Sequence, residues 1–212
     1  MIRLHHLATS RSHRILWLLE ELGLPYELVG HARDPQTMAA PPGLKRVHPL
    51  GKSPVVEDDE AGVLAESGAI IESLLERHDQ EGRLRPAAGS AAHRAYLYWL
   101  HFAEGSAMPP LLVKLYLSRL GPAAAPALPR IDAQIGGNLD HMDAALARTP
   151  YFAGDAFSAA DIQMIYPVEA SVARGGLTAE RRHLWRWLEE MRARPAYRRA
   201  VEAGGPVMMA PG

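Results

Sequence analysis

The hydrophobic period changes once along this chain, at the polar stretch DQEGRLRPAAGSA (Asp79 to Ala91). Before it, short apolar runs of strand length alternate with helical stripes. Beyond it, every stripe is helical. A chain built this way folds as a small α/β unit followed by an all-helical one, because each period buries its apolar face against a different kind of neighbour. The expected division is 1–79 for the α/β unit, 80–88 for a linker and 89–212 for the helical domain.

Within the first part, IRLHH (Ile2 to His6) reads as a strand. Ile15, Leu16, Leu18, Leu19 and Leu22 then recur at helical spacing, with Gly23 as the stop and Pro25 beyond it. YELVG reads as a second strand. The Pro- and Gly-rich segment from His31 to Gly51 reads as irregular, with at most a short helix. PVVED and GVLAE form a hairpin around DEAG, and SGAIIESLLERH places Ile70, Ile71, Leu74 and Leu75 on one helix face. In the second part, a helix starting at Ala91 meets Pro109 and Pro110, which should kink or interrupt it. Ile131, Ile135, Leu139, Met142 and Leu146 mark the next, and two more helices follow, the last ended near Pro195.

Composition excludes several kinds of function. The formal net charge is −1, so no global field draws nucleic acid or an anionic membrane. RARPAYRR (Arg192 to Arg199) reads as a solvated helix end. No apolar run approaches the roughly 20 residues of a membrane span, and basic residues break up any signal-peptide core at the N-terminus. The expected compartment is the cytoplasm, which the absence of Cys also fits. Chemistry on a protein thiol is excluded. The ten His residues show no short i, i+4 pair, so no metal site is expected.

Four short stretches carry chemistry. GKSP (Gly51 to Pro54) fails as a phosphate loop, because Arg46 stands where the first Gly must be. Its better reading is a tight turn whose Pro54 follows Ser53 in a cis bond, leaving the Val55 main chain to pair with an extended, peptide-like ligand. In AESGAI, Ser67 reads as an N-cap. The helix it starts offers free amides to a carboxylate, and Glu66 beside them suits an ammonium. Together these describe a receptor for an amino-acid head group. TSRSHR poses the remaining choice: Thr9, Ser10 and Ser12 either cap the first helix or donate to a thiolate held at its N-terminus.

The ordered set SRSHRILWLLEELGLPYEL, HPLGKSPVVED, AESGAIIESLLER and YFAGDAFSAADIQM resembles the cytosolic glutathione transferases, over nearly the whole chain. Ser10, four residues before Arg14, looks most like the serine-type bacterial and fungal branch. The resemblance implies a thioredoxin-like N-terminal domain, an all-helical C-terminal domain and glutathione as co-substrate. By position it makes Ser10 the thiolate-stabilising hydroxyl, with Ser12 the runner-up. Lys52 falls where the glycine carboxylate is reached. Ser53, Pro54 and Val55 hold the cysteinyl part, Glu66 and Ser67 the γ-glutamyl head group. Asp161 of SAAD (Ser158 to Asp161) belongs to a structural capping box. Phe102 and Ser106 are candidates for the acceptor pocket. His48 departs from the family pattern, where an Asn is more usual.

The implied activity is transfer of glutathione to a hydrophobic electrophile, as in detoxification, by a homodimer without metal. Two alternatives stay open: a binding or assembly module of the same shape without turnover, and the same thiolate used for isomerisation, peroxide reduction or dehalogenation.

Overall fold

The computed structural model describes residues 1–208; the tail GGPVMMAPG, expected to fold over the acceptor pocket or fray, lies partly outside these residues. The chain divides into two compact units. Of the described residues, one unit comprises Met1–Arg83 with 193–208, and the other Leu84–Arg192.

The first unit is built on a four-stranded sheet. β1 (Ile2–Leu7) pairs in parallel with β2 (Tyr26–His31) and antiparallel with β3 (Val55–Asp58), which turns back as β4 (Gly62–Ala65), giving the order β2-β1-β3-β4. A parallel pair needs a crossover, and α1 (Ser12–Leu22) supplies it, burying Ile15, Leu16, Leu18 and Leu19 completely. Gly23 ends α1 in the left-handed conformation (φ 65°). Its N–H and that of Leu24 both bond to the Leu19 carbonyl, the closure a residue without Cβ adopts most readily. The DEAG hairpin forms as expected, and α2 (Gly43–Val47) is the single short helix of the irregular crossing. α3 (Ser67–His78) buries Ile70, Ile71, Leu74 and Leu75.

The second unit is helical throughout. α4 (Ala91–Phe102) widens into a π turn at Ala103–Ala107 and continues as α5 (Met108–Leu117), so Pro109 and Pro110 fall in a first turn, where missing amides cost little. A 3₁₀ segment (Ser118–Ala124) leads to α6 (Leu128–Leu146). Next comes α7 (Ala159–Ala170), buried along its whole length, its polar Asp161, Gln163 and Glu169 included. α8 (Arg182–Ala193) completes the unit. Asp161 is structural as expected. Its buried carboxylate accepts from the Ser158 and Phe152 amides (both 3.0 Å) and from the Trp187 indole at 2.9 Å, tying α7 to α8.

The sequence reading places 89–212 in one helical domain. In the structure, α9 (Pro195–Gly204) belongs to the first unit and packs on α1. Tyr197 lies edge-on to Trp17 with centroids 5.1 Å apart. The "solvated" arginines are ion-paired instead: Arg194 with Glu21 at 2.7 Å and Arg199 with Glu20 at 2.6 Å. Small residues, Ala196, Ala200 and Gly204, make the contact face, and their weak hydrophobic signal conceals it in the sequence.

Among the described residues, no helix is long and apolar enough to cross a membrane and no cluster of three or more potential ligands could hold a metal ion.

Candidate functional site

The loop between β1 and α1 makes a sharp turn at Thr9, a non-glycine residue in the left-handed region (φ 51°). Such a conformation persists only where the surroundings over-determine it. Arg33 does so here. Its guanidinium donates to the Ala8 carbonyl (3.1 Å), the Thr9 carbonyl (3.2 Å) and the Met38 carbonyl (2.9 Å). No local pattern in the sequence marks Arg33 as the clamp on this loop.

The turn delivers Ser10 to the start of α1. The helix begins after Arg11 without a side-chain cap from that residue, and the Ser10 oxygen accepts the Ser12 amide at 3.2 Å. Ser10 and Ser12 are both buried, yet they differ in what they can offer. Ser10 retains 6% exposure, whereas Ser12 has none. Ser12 Oγ lies 2.9 Å from His6 Nδ1, 2.8 Å from Ser10 Oγ and 3.2 Å from the Leu7 amide that donates to it. His6 in turn lies 2.9 Å, through Nε2, from the carbonyl of Gly204 in α9. Burial, ahead of the neighbouring His31, holds His6 below the usual imidazole range.

The second helix terminus differs from its expected form. Ser67 is not the N-cap of α3. Glu66 occupies that position (φ 70°) without capping through its side chain. Ser67 is the first helical residue, and its hydroxyl accepts from Arg14 Nη1 at 3.3 Å. The Ile70 amide bonds back to the Glu66 carbonyl, while the amides of Gly68 and Ala69 come too early in the helix for an intrahelical acceptor. Glu66 is exposed beside them and Ser67 is buried.

The Ser53–Pro54 bond is cis, as expected. The assignment of Val55 as the ligand-pairing residue is corrected, because Val55 is fully buried in β3 with β1 on one side and β4 on the other. Strand neighbours on both edges leave its main chain no open side. Ser53, half-buried at the entry to the strand, has no strand partner of its own among the described residues, and its hydroxyl donates to the His5 carbonyl at 2.9 Å. Lys52 is exposed next to it. His48 shapes the preceding turn, its carbonyl accepting the Gly51 amide at 2.8 Å.

In the helical unit, Phe102 is half-buried against Tyr98, Trp99 and His141. Ser106 is exposed in the π turn, where its carbonyl accepts from the Asn138 side chain at 2.9 Å.

Residues 9–77 match the family model described as the glutathione S-transferase N-terminal domain, and residues 125–190 the model described as its C-terminal domain. The chain belongs to the glutathione S-transferase family. Glutathione S-transferase 3 of Schizosaccharomyces pombe is 36% identical to it over 95% of this chain and 87% of that one. A crystal structure of a glutathione S-transferase from Actinobacillus pleuropneumoniae superposes with a TM-score of 0.86 at 38% identity, covering 96% of this chain and 93% of the other. A sphingomonad glutathione S-transferase, solved in complex with glutathione, superposes with a TM-score of 0.77 at 25% identity over 96% and 98% of the two chains. The family fold, a thioredoxin-like unit followed by helices, is thus the fold this sequence adopts.

Proposed function

We propose that this glutathione S-transferase is of the serine type and uses Ser10 to hold the glutathione sulfur as a thiolate for attack on an electrophile. The observation that carries the reading is the contrast between the two serines. Ser10 keeps access to the surface at the positive end of α1, whereas Ser12 is sealed off and engaged with His6. A sulfur at this helix end gains from the dipole and from the hydroxyl together, and both favour the charged form.

The rest of glutathione follows from the remaining groups. Its γ-glutamyl carboxylate meets the Gly68 and Ala69 amides at the start of α3 beside Ser67, with Glu66 on its ammonium. Its cysteinyl main chain pairs with Ser53 ahead of cis-Pro54, and Lys52 reaches the glycine carboxylate. The bound glutathione of the sphingomonad relative supports this choice of co-substrate. Catalysis then consists of a larger thiolate fraction at neutral pH plus orientation toward the acceptor, with no covalent enzyme intermediate.

The acceptor is a hydrophobic electrophile bound by the helical unit, with Phe102 and Ser106 as its first candidates. The protein acts as a cytoplasmic homodimer in detoxification, without metal. Following thiolate absorbance of bound glutathione in the ultraviolet against pH tests the reading, with Ser10→Ala as control. A thiol pKa below that of free glutathione, rising in the variant, is the expected result. An unshifted pKa in the wild type removes the catalytic assignment and leaves the binding-module alternative.

A further inference from the structure

The hydrogen bonds running inward from Ser10 have a single consistent direction. A neutral imidazole carries one N–H. His6 Nε2 faces the Gly204 carbonyl, which can only accept, so the hydrogen sits on Nε2 and Nδ1 is a bare lone pair. The Ser12 hydroxyl then donates across its 2.9 Å contact with Nδ1, the nearer of the two acceptors it reaches, the other being the Leu7 carbonyl at 3.3 Å. Having spent its one hydrogen, Ser12 can only accept from Ser10 across their 2.8 Å contact, while its second lone pair takes the Leu7 amide. Ser10 accepts the Ser12 amide and has one lone pair left. In this state the site presents an acceptor to the sulfur. It suits a thiol S–H, whereas a thiolate needs a donor.

We propose that His6 is the terminal acceptor of the glutathione thiol proton, reached through Ser10 and Ser12. This rests on the reading that the sulfur lies at Ser10. The step moves one proton at each link. The S–H bond breaks as its proton passes to Ser10 Oγ. The Ser10 proton passes to Ser12 Oγ, and the Ser12 proton to His6 Nδ1. The electron pair of the S–H bond stays on sulfur. The three hydrogen bonds along the relay survive with their direction reversed. Ser10 now donates to the thiolate, Ser12 to Ser10, and an imidazolium to Ser12 and, as before, to Gly204.

Three features of the surroundings fit this role. The Gly204 carbonyl accepts from His6 in both protonation states. It is also the last residue of α9, so a cation there sits at the negative end of a helix dipole. The titratable groups around His6 are His31 from β2 and His13 from α1, and a charge on either opposes one on His6. A charge on His6 therefore needs the thiolate to balance it, which couples proton arrival to sulfur ionisation. Gly204 is held close. A Cβ on it would lie 2.6 Å from Leu16 Cδ2 and 3.0 Å from the His6 ring, so the distance that sets the imidazole direction is fixed by close packing.

His6 acts through Ser12 and is a positioning residue for the sulfur chemistry. Its protonation is observable in protein labelled with ¹⁵N-histidine, by the imidazole nitrogen shifts at a pH where the free protein holds His6 neutral. Glutathione should move His6 to the imidazolium pattern. S-methylglutathione, which fills the same subsites without a thiol proton, should leave it neutral. With glutathione on Ser12→Ala, His6 should stay neutral although the ligand binds. His6→Asn keeps an acceptor near the Nδ1 position but takes up no proton, and should raise the pKa of bound thiol by about one unit, a tenfold smaller thiolate fraction near neutral pH. A wild-type His6 that stays neutral with glutathione bound overturns the proposal, as does an unchanged thiol pKa in His6→Asn. Failure of both glutathione and S-methylglutathione to perturb any resonance overturns the glutathione reading itself, and the relay with it.

Discussion

The N-termini of α1 and α3 look alike in sequence, each a serine-bearing turn ahead of an amphipathic helix, and they are built for different tasks. At α1 the contacts run inward from Ser10, which keeps slight exposure, through the sealed Ser12 and His6 to Gly204. At α3 the serine hydroxyl accepts from Arg14, and the first-turn amides and the exposed Glu66 are the groups proposed to meet a ligand. The first arrangement suits a group whose proton must leave. The second suits charges that stay fixed from binding to release. Buried hydroxyls can relay a proton because each both donates and accepts, whereas a backbone amide can only donate.

The largest expected break in this contrast comes from Ser10→Ala. Turnover with a chromogenic electrophile should fall about 100-fold or more, the usual loss when one donor to a developing anion is removed. Glutathione affinity, which the proposed binding mode sets at α3 and Ser53, should change little. A parallel loss of affinity would merge the two sites into one.

Gly204→Ala attacks the same end without touching a serine. The added methyl overlaps Leu16 and His6, and overpacking of this kind costs about 1–3 kcal/mol. A urea melt should show that loss together with reduced kcat. Full stability with reduced kcat would mean that His6 moves freely and Leu16 yields.

Acid should separate the two regions by stability. Burial drives His13, on α1, down to about 3, and neither of its ring nitrogens has a hydrogen-bond partner among the described residues. The folded state thus resists a proton that the unfolded chain takes up near pH 6.5. Stability should decline as pH falls below that value, by about 1.4 kcal/mol at pH 5.5. Near α3, the Arg77 guanidinium donating to Asp58 holds that carboxyl at about 2. Its contribution is complete above the ordinary aspartate range near 3.8 and is lost only as pH falls from there toward 2. His13→Leu should flatten the first decline and leave the second, as read by chemical denaturation across pH. A first decline that survives the substitution places its origin outside α1.

The smallest effect is expected at α3. Glu66→Gln should raise the KM for glutathione about tenfold, the worth of a charge-assisted hydrogen bond, with kcat at saturation nearly unchanged. A fall in kcat instead would connect Glu66 to the ionisation of the sulfur.

Much of this architecture is local and therefore readable from the sequence. The stripe from Ile15 to Leu22 with Gly23 behind it, the DEAG hairpin, the Ser53–Pro54 turn and the capping residues Ser158 and Asp161 are all set by spacings of a few residues. What escapes is fixed by partners far along the chain. Nothing near His6 announces Gly204, and nothing near Ser67 announces that Arg14 will take its hydroxyl. Val55 was misassigned for a related reason. Proline marks where a strand begins, but only the neighbours on both sides of β3 determine which residue keeps an open edge. The left-handed Thr9 and Glu66 are likewise tertiary choices, since neither residue type favours that conformation by itself.

The contact between His6 and Gly204 joins residues 198 positions apart, and this orders events during synthesis. A ribosome delivers β1 and both serines long before, and the helical unit just before, the carbonyl that lies against the imidazole. On the proposed relay, a chain halted short of α9 lacks the group that sets the direction of its protons. If the relay operates as proposed, chemical competence waits for α9, among the last elements made.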